Sequence, residues 1–217
     1  GLNNGGQDIH LEQVRVENGV FKSVSVTNDP QFSPLWPMFY IGKVGDQYPI
    51  PNSYRCLYVA LKVVADGNST HNIQSFWFEN EQLTNAKFGY TKFVNFPDNQ
   101  WVLIKMDLVS DYFGGESWNN LTKWKGIRID PTDKKDAFID IDWVRLTDCK
   151  AVNAVFNVST NSSIDFYLRR ENREIFIGDN ISPLNGRINV DFQGIEPGTY
   201  EYLIKNERGE TLRTGEI

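Results

Sequence analysis

Asp140 and Asp142 stand two residues apart in Ile139-Asp140-Ile141-Asp142-Trp143-Val144-Arg145-Leu146, a run in which acidic and apolar positions alternate. A carboxylate pair can cleave a glycosidic bond when the two groups flank it from opposite sides. On a strand, however, residues i and i+2 point to one face. These two therefore cannot straddle a substrate. The chain has two histidines, His10 and His71, and two cysteines, Cys56 and Cys149. No CxxC or Cys/His cluster is present, so a zinc site is not expected. Nucleophile-elbow, phosphate-loop and dinucleotide signatures are also missing. The turn Asn68-Ser69-Thr70-His71-Asn72 is expected to leave His71 solvated. The chain reads as non-catalytic, and the residues with something to offer a ligand are its aromatic ones. Trp36 is held between Pro34 and Pro37 in a stiff loop, where an exposed ring loses little entropy on stacking against a sugar; a loop plug is the alternative. Trp118 follows the Gly-containing loop Asp111-Tyr112-Phe113-Gly114-Gly115-Glu116-Ser117. It offers either an exposed ring or a cover for the end of the fold.

The elements that must position these residues are strands. Val20–Val26, Leu57–Val64, Val102–Met106 and Asp165–Leu168 are short and rich in β-branched and aromatic residues. Turn signals separate such runs, among them Glu17-Asn18-Gly19, Ala65-Asp66-Gly67-Asn68 and Pro97-Asp98-Asn99. Helical periodicity is confined to one turn within Ser117–Lys123. The fold class is all-β. Strand spacing changes near Lys150, which divides the chain into residues 1–149 and 150–217, with residues 1–8 expected to be flexible. Six short strands are expected in the second part: Val152–Val158, Ser163–Leu168, Glu174–Ile177, Arg187–Phe192, Thr199–Lys205 and Thr211–Glu216.

Composition narrows the partners. The net charge of −6 and the lack of a basic stripe argue against nucleic acid. No apolar run approaches the ~20 residues that cross a bilayer. Five Asn-x-Ser/Thr sequons, at Asn68, Asn120, Asn157, Asn161 and Asn180, are the chance product of Asn- and Ser/Thr-rich turns. A chain starting Gly1-Leu2-Asn3 rather than Met is expected to be processed or part of a longer one.

Several segments taken in order resemble a galactose-binding-like jelly roll, the sandwich of many carbohydrate-binding modules. They are Gly19-Val20-Phe21, Asn28-Asp29-Pro30-Gln31-Phe32, Tyr54-x-x-Leu57-x-Val59-x-Leu61-Lys62 and Phe76-Trp77-Phe78. After them come Trp101-x-x-Ile104-x-Met106-Asp107-Leu108, Trp124-x-Gly126-Ile127-Arg128-Ile129-Asp130-Pro131 and Ile139–Leu146. The resemblance covers residues ~15–149. Residues 150–217 resemble a small immunoglobulin- or fibronectin-type-III-like sandwich through their strand count and the corner Pro197-Gly198-Thr199-Tyr200. The jelly-roll resemblance buries Trp101 and Trp124 at strand entries. It also makes the strands of Cys56 and Cys149 antiparallel neighbours, pairing Tyr58 with Thr147 and Ala60 with Arg145. The cysteines are then either a disulfide or two buried thiols. Many relatives carry a structural calcium. The N-terminal strand here lacks an acidic signature, and the oxygen donors available are Asp142, Asp140 and Glu17.

With neighbouring strands, alternation places Leu57, Val59, Leu61 and Val63 in the core and Tyr58, Ala60 and Lys62 outside. Phe76 and Phe78 are assigned to the core, and Trp77 to the outside with Ser75 and Glu79. Val144 and Leu146 face the core; Trp143 and Arg145 do not. Tyr58, Lys62, Trp77, Trp143 and Arg145 would then form one outer face, either an aromatic sugar platform or a surface covered by the second part. The expectation is a non-catalytic polysaccharide-binding module of a larger secreted or cell-surface protein, in contact with that protein's other domains. The competing readings are a structural or adhesive spacer and a glycan-active hydrolase fragment.

Overall fold

A computed structural model of the chain describes residues 10–35, 51–67, 70–79, 87–121 and 125–217. Trp36, Trp124 and Asn68 lie outside them. Among the described residues the structure is an all-β sandwich with one 3-10 turn, Trp118–Asn120. The strands in chain order are β1 (Leu11–Glu17), β2 (Val20–Ser25), β3 (Phe32–Leu35), β4 (Cys56–Val64), β5 (Thr70–Glu79), β6 (Lys87–Thr91), β7 (Val94–Pro97), β8 (Trp101–Asp107) and β9 (Tyr112–Gly115). They continue as β10 (Lys125–Asp130), β11 (Phe138–Thr147), β12 (Asn153–Asn157), β13 (Ile164–Arg170), β14 (Arg173–Ile181), β15 (Arg187–Asp191), β16 (Glu201–Asn206) and β17 (Thr211–Glu216).

Nine strands form one sheet in the order β1-β2-β11-β4-β8-β14-β13-β16-β17. It runs without a break across residue 150, because β14 pairs parallel with β8, Ile175 opposite Trp101 and Phe176 opposite Val102. A second sheet has the order β3-β10-β5-β6-β9, with β7 also on β5, and β12-β15 form a ribbon. The two ends of the large sheet are covered on opposite faces. Leu57, Val59 and Leu61 of β4 and Val102, Ile104 and Met106 of β8 meet Ile73 and Trp77 of β5 and Ile127 and Ile129 of β10 in the larger core. Beyond the junction, Phe166 and Leu168 of β13 and Tyr202 and Ile204 of β16 pack instead against Phe156 of β12 and Ile188 of β15. Ala60, Trp143 and Ile175 join the two cores, with Trp101 half-buried against them.

Cys56 and Cys149 form a disulfide with Cα atoms 5.2 Å apart. The β4–β11 register differs from expectation by two residues: Tyr58 opposes Arg145 and Cys56 opposes Thr147. The same register places Trp143 opposite Ala60, and a bulge between Trp143 and Ile141 then brings Ile141 opposite Leu61. Cys149 lies beyond the strand at φ 63°, so it reaches back to Cys56 from a turn.

Candidate functional site

The orientation of β5 decides which aromatic groups can meet a ligand, and it is the reverse of the one expected. Trp77 is fully buried, with Ile73 and Ser75 on its side. Its Nε1–H donates to the Glu116 carbonyl at 2.8 Å, and its ring meets Trp118 edge-on at 6.1 Å. The strand can turn this way because Gly89 lies opposite Trp77; a Cβ there would sit 2.6 Å from the indole. Gln74, Phe76 and Phe78 consequently lie on the other face of the strand, where Phe76 is half-buried and Gln74 and Phe78 are buried. On β10, Ile127 and Ile129 are buried, which sends Arg128 and Asp130 to the same outer face.

Register then builds a row across the strands. Phe76 pairs with Arg128 on one side and with Tyr90 on the other. The Arg128 guanidinium lies 4.5 Å over the Phe76 ring centroid. Phe76 and Tyr90 rings are 5.5 Å apart, and Tyr90 and Phe113 are 5.9 Å apart. Phe113 is 66% exposed and Phe88, on the same face, 52%. Arg128 grips Asp130 through two bonds of 2.6 Å and reaches Asp29 at 3.0 Å. Gln31 Nε2 donates to the other Asp29 oxygen at 3.0 Å. Rings along the row, with a guanidinium and carboxylates at one end, can stack on a sugar's C–H face and bond its hydroxyls.

Burial pushes the Asp130 carboxyl up from 3.8 to about 6, against the pull of Arg128 and with a smaller push from Asp29. Between about pH 4 and 6 the folded chain therefore holds a proton that the unfolded chain has released. Stability from this group falls as pH rises through that window, by up to about 3 kcal/mol, and is flat beyond it. Asp130→Asn is expected to flatten the slope of thermal midpoint against pH between about 4 and 6. An unchanged slope would show that Asp130 does not titrate there.

Of the two readings of the Tyr58–Trp143 face, covering by the second part of the chain is the one that holds. Tyr58 is 4% exposed and Trp143 7%. The Tyr58 hydroxyl donates to Gln193 Oε1 at 2.8 Å, and Gly194 lies against its ring. Trp143 Nε1–H donates to the Gly194 carbonyl at 2.9 Å, and Arg145 donates to the Ile195 carbonyl. Lys62 sits 3.8 Å from Asp140 and 6.0 Å over Trp101. Alternation placed these β4 and β11 side chains on the correct face; it carried no sign that residues 193–195 would lie across it. Trp118 is fully buried, so of its two readings the covered one holds.

The carboxylates suggested for calcium do not come close enough to one another to share one ion. Glu17 pairs with Lys22 at 3.1 Å, Asp140 with Lys62, and Asp142 with Arg173 at 3.1 Å. Each is balanced by a cation where calcium would need shared oxygens, so these residues do not fit that ion. Burial raises the Asp142 carboxyl, while Arg173 opposes the rise. Cys56, Cys149 and Asp107 do cluster, but both sulfurs are spent in the disulfide.

His71 is fully buried rather than solvated. It shares the inward face of β5 with Ile73, a relation the i, i+2 spacing already contained. Its Nδ1 lies 2.9 Å from Thr132 Oγ1 and its Nε2 2.8 Å from Asp98 Oδ1. This has the connectivity of a nucleophilic relay. Thr132, however, is buried, and its oxygen also accepts the Lys134 N–H at 3.2 Å. Asp98 in turn accepts the Ala65 N–H at 2.8 Å. The imidazole is a strut between loops. The Arg128–Phe76–Tyr90 row was missed because Phe76-Trp77-Phe78 is apolar on both faces of the strand. The signal lay in Gly126-Ile127-Arg128-Ile129-Asp130, whose alternation puts Arg128 and Asp130 together opposite two core isoleucines. No family model matches the chain, and no curated protein matches it either.

Proposed function

We propose that the first part of the chain is a galactose-binding-like, non-catalytic carbohydrate-binding module that holds a neutral polysaccharide on the outer face of the β3-β10-β5-β6-β9 sheet. The observation that carries this reading is the Arg128–Phe76–Tyr90 row with exposed Phe113 and Phe88 beside it. Two carboxylates against one guanidinium leave the row slightly acidic, which disfavours anionic chains. Residues 150–217 read as a small immunoglobulin-like sandwich. In support, the Tyr200 hydroxyl donates to the Glu196 carbonyl at 2.9 Å, the geometry of a tyrosine corner. The disulfide favours an oxidising compartment, in keeping with secretion or display at a cell surface.

Affinity electrophoresis through a panel of neutral polysaccharides tests the reading. At least one gel should retard the chain. Phe76→Ala and Tyr90→Ala should each weaken retardation roughly fivefold, about 1 kcal/mol per stacked ring. Arg128→Ala should act in the same direction. Retention of full retardation by all three variants overturns this face as the site. Failure of every glycan favours the spacer reading, which the continuous sheet and its covered junction support.

A further inference from the structure

We infer that a second ligand site, for a single neutral sugar ring, lies where the two parts of the chain meet, on the opposite side of the molecule from the aromatic row. A cavity of about 250 Å³ opens there. Its floor is on the nine-stranded sheet, where Lys22 of β2 opposes Asp140 of β11, which also opposes Lys62 of β4. Trp101, at the start of β8, closes the floor. Its ring packs on the Ala60–Trp143–Ile175 cluster and carries the Lys62 ammonium 6.0 Å from its centroid. One wall is the β1–β2 turn with Glu17 and Asn18; the other is the β13–β14 turn with Glu171, Asn172 and Arg173.

The walls are held in place. Arg173 is nearly buried and reaches Asp142 at 3.1 Å, Glu171 at 2.9 Å and the Asn18 carbonyl at 3.4 Å. It thereby ties the two turns together across the cavity mouth, a preorganisation that lowers the ordering cost of binding. The lining alternates acceptors (Glu17, Asp140 and Glu171) with donors (Lys22, Asn172 and Arg173) beside one indole. Hydroxyls that both donate and accept suit such a lining, and the C–H face of a pyranose suits the indole. Glu17, Asp140 and Glu171 are set against Lys22, Lys62 and Arg173, so the site carries no net positive charge to hold an anion. The inference does not depend on the outer row, which shares no residue with this cavity.

Two-dimensional NMR of the full 15N-labelled chain tests it, with D-glucose, D-galactose, D-mannose and N-acetyl-D-glucosamine as probes and D-glucuronate as the anionic control. At least one neutral sugar should shift the Trp101 indole N–H and the Asn18 and Asn172 amides, saturating in the millimolar range, and glucuronate should not. Asp140→Asn should weaken this binding roughly tenfold. Trp101→Ala should abolish it. Because Trp101 also packs on the joining cluster, Asp140→Asn keeps the test decisive if Trp101→Ala unfolds. The double variant Phe76→Ala/Tyr90→Ala should retain the shifts, which separates this cavity from the outer row. No shift at these three positions with any neutral sugar, or full-strength shifts in Asp140→Asn, overturns the inference.

Discussion

Gly194→Ala is expected to lower the thermal midpoint by roughly 10 °C, a loss of about 3 kcal/mol. Gly194 has φ +84°, and a methyl group there would overlap the Tyr58 ring. The ring cannot retreat, because its hydroxyl is bound to Gln193 and Tyr58 is itself buried. Displacing Gly194 also withdraws the carbonyl that Trp143 uses at 2.9 Å. Gly209→Ala separates steric overlap from backbone strain. Gly209 has a similar φ, +77°, but nothing within 4 Å of the added carbon. It should cost only about 1 kcal/mol, the strain of a left-handed residue. Scanning calorimetry of both variants checks the difference. Equal midpoints would mean that the Gly194–Tyr58 contact does not hold the two parts together.

Removing the disulfide is the other large change. Cys56 and Cys149 are 93 residues apart in sequence, so the bond closes a long loop. Closing a loop of that size restricts the unfolded chain by about 4.6 kcal/mol in the chain-entropy account. Cys56→Ser/Cys149→Ser should therefore lower the midpoint by roughly 12 °C. Intact chain in a strong reductant should approach the same value, and alkylation followed by mass measurement reports whether the bond opened. A midpoint insensitive to both treatments would show that the loop is already constrained by other contacts.

Local patterns carried the strand framework, and long-range contacts decided the surface. β4 was legible because Leu57, Val59, Leu61 and Val63 alternate with Tyr58, Ala60 and Lys62; the first set is in the larger core and the second points away from it. β17 occupies Thr211–Glu216 as expected, since the Asn206–Glu210 turn marks its start. Trp77 was placed on the wrong face because its neighbours on both sides are phenylalanines. Only the cross-strand partner Gly89 breaks that tie, and pairing is not written in local sequence. The two-residue error between β4 and β11 has the same origin, as an index sum fitted to the cysteines cannot foresee that Cys149 turns back after the strand. The covering of Tyr58 and Trp143 by residues 193–195 depends on chain 50 residues from Trp143 or further, with no periodic signature. The outer row was half legible, since Arg128 and Asp130 follow from alternation, whereas Phe76 and Tyr90 required the reversed β5.

The parallel pairing of Ile175 and Phe176 with Trp101 and Val102 makes the boundary near Lys150 a poor place to cut. Residues 1–149 alone would present the bare edge of β8 and an uncovered face carrying Tyr58 and Trp143. Residues 150–217 alone would present the matching edge of β14. Both are invitations to pair with whatever strand is nearest. The portable building block, whether for fusion to another protein or for exchange between architectures, is the two parts together.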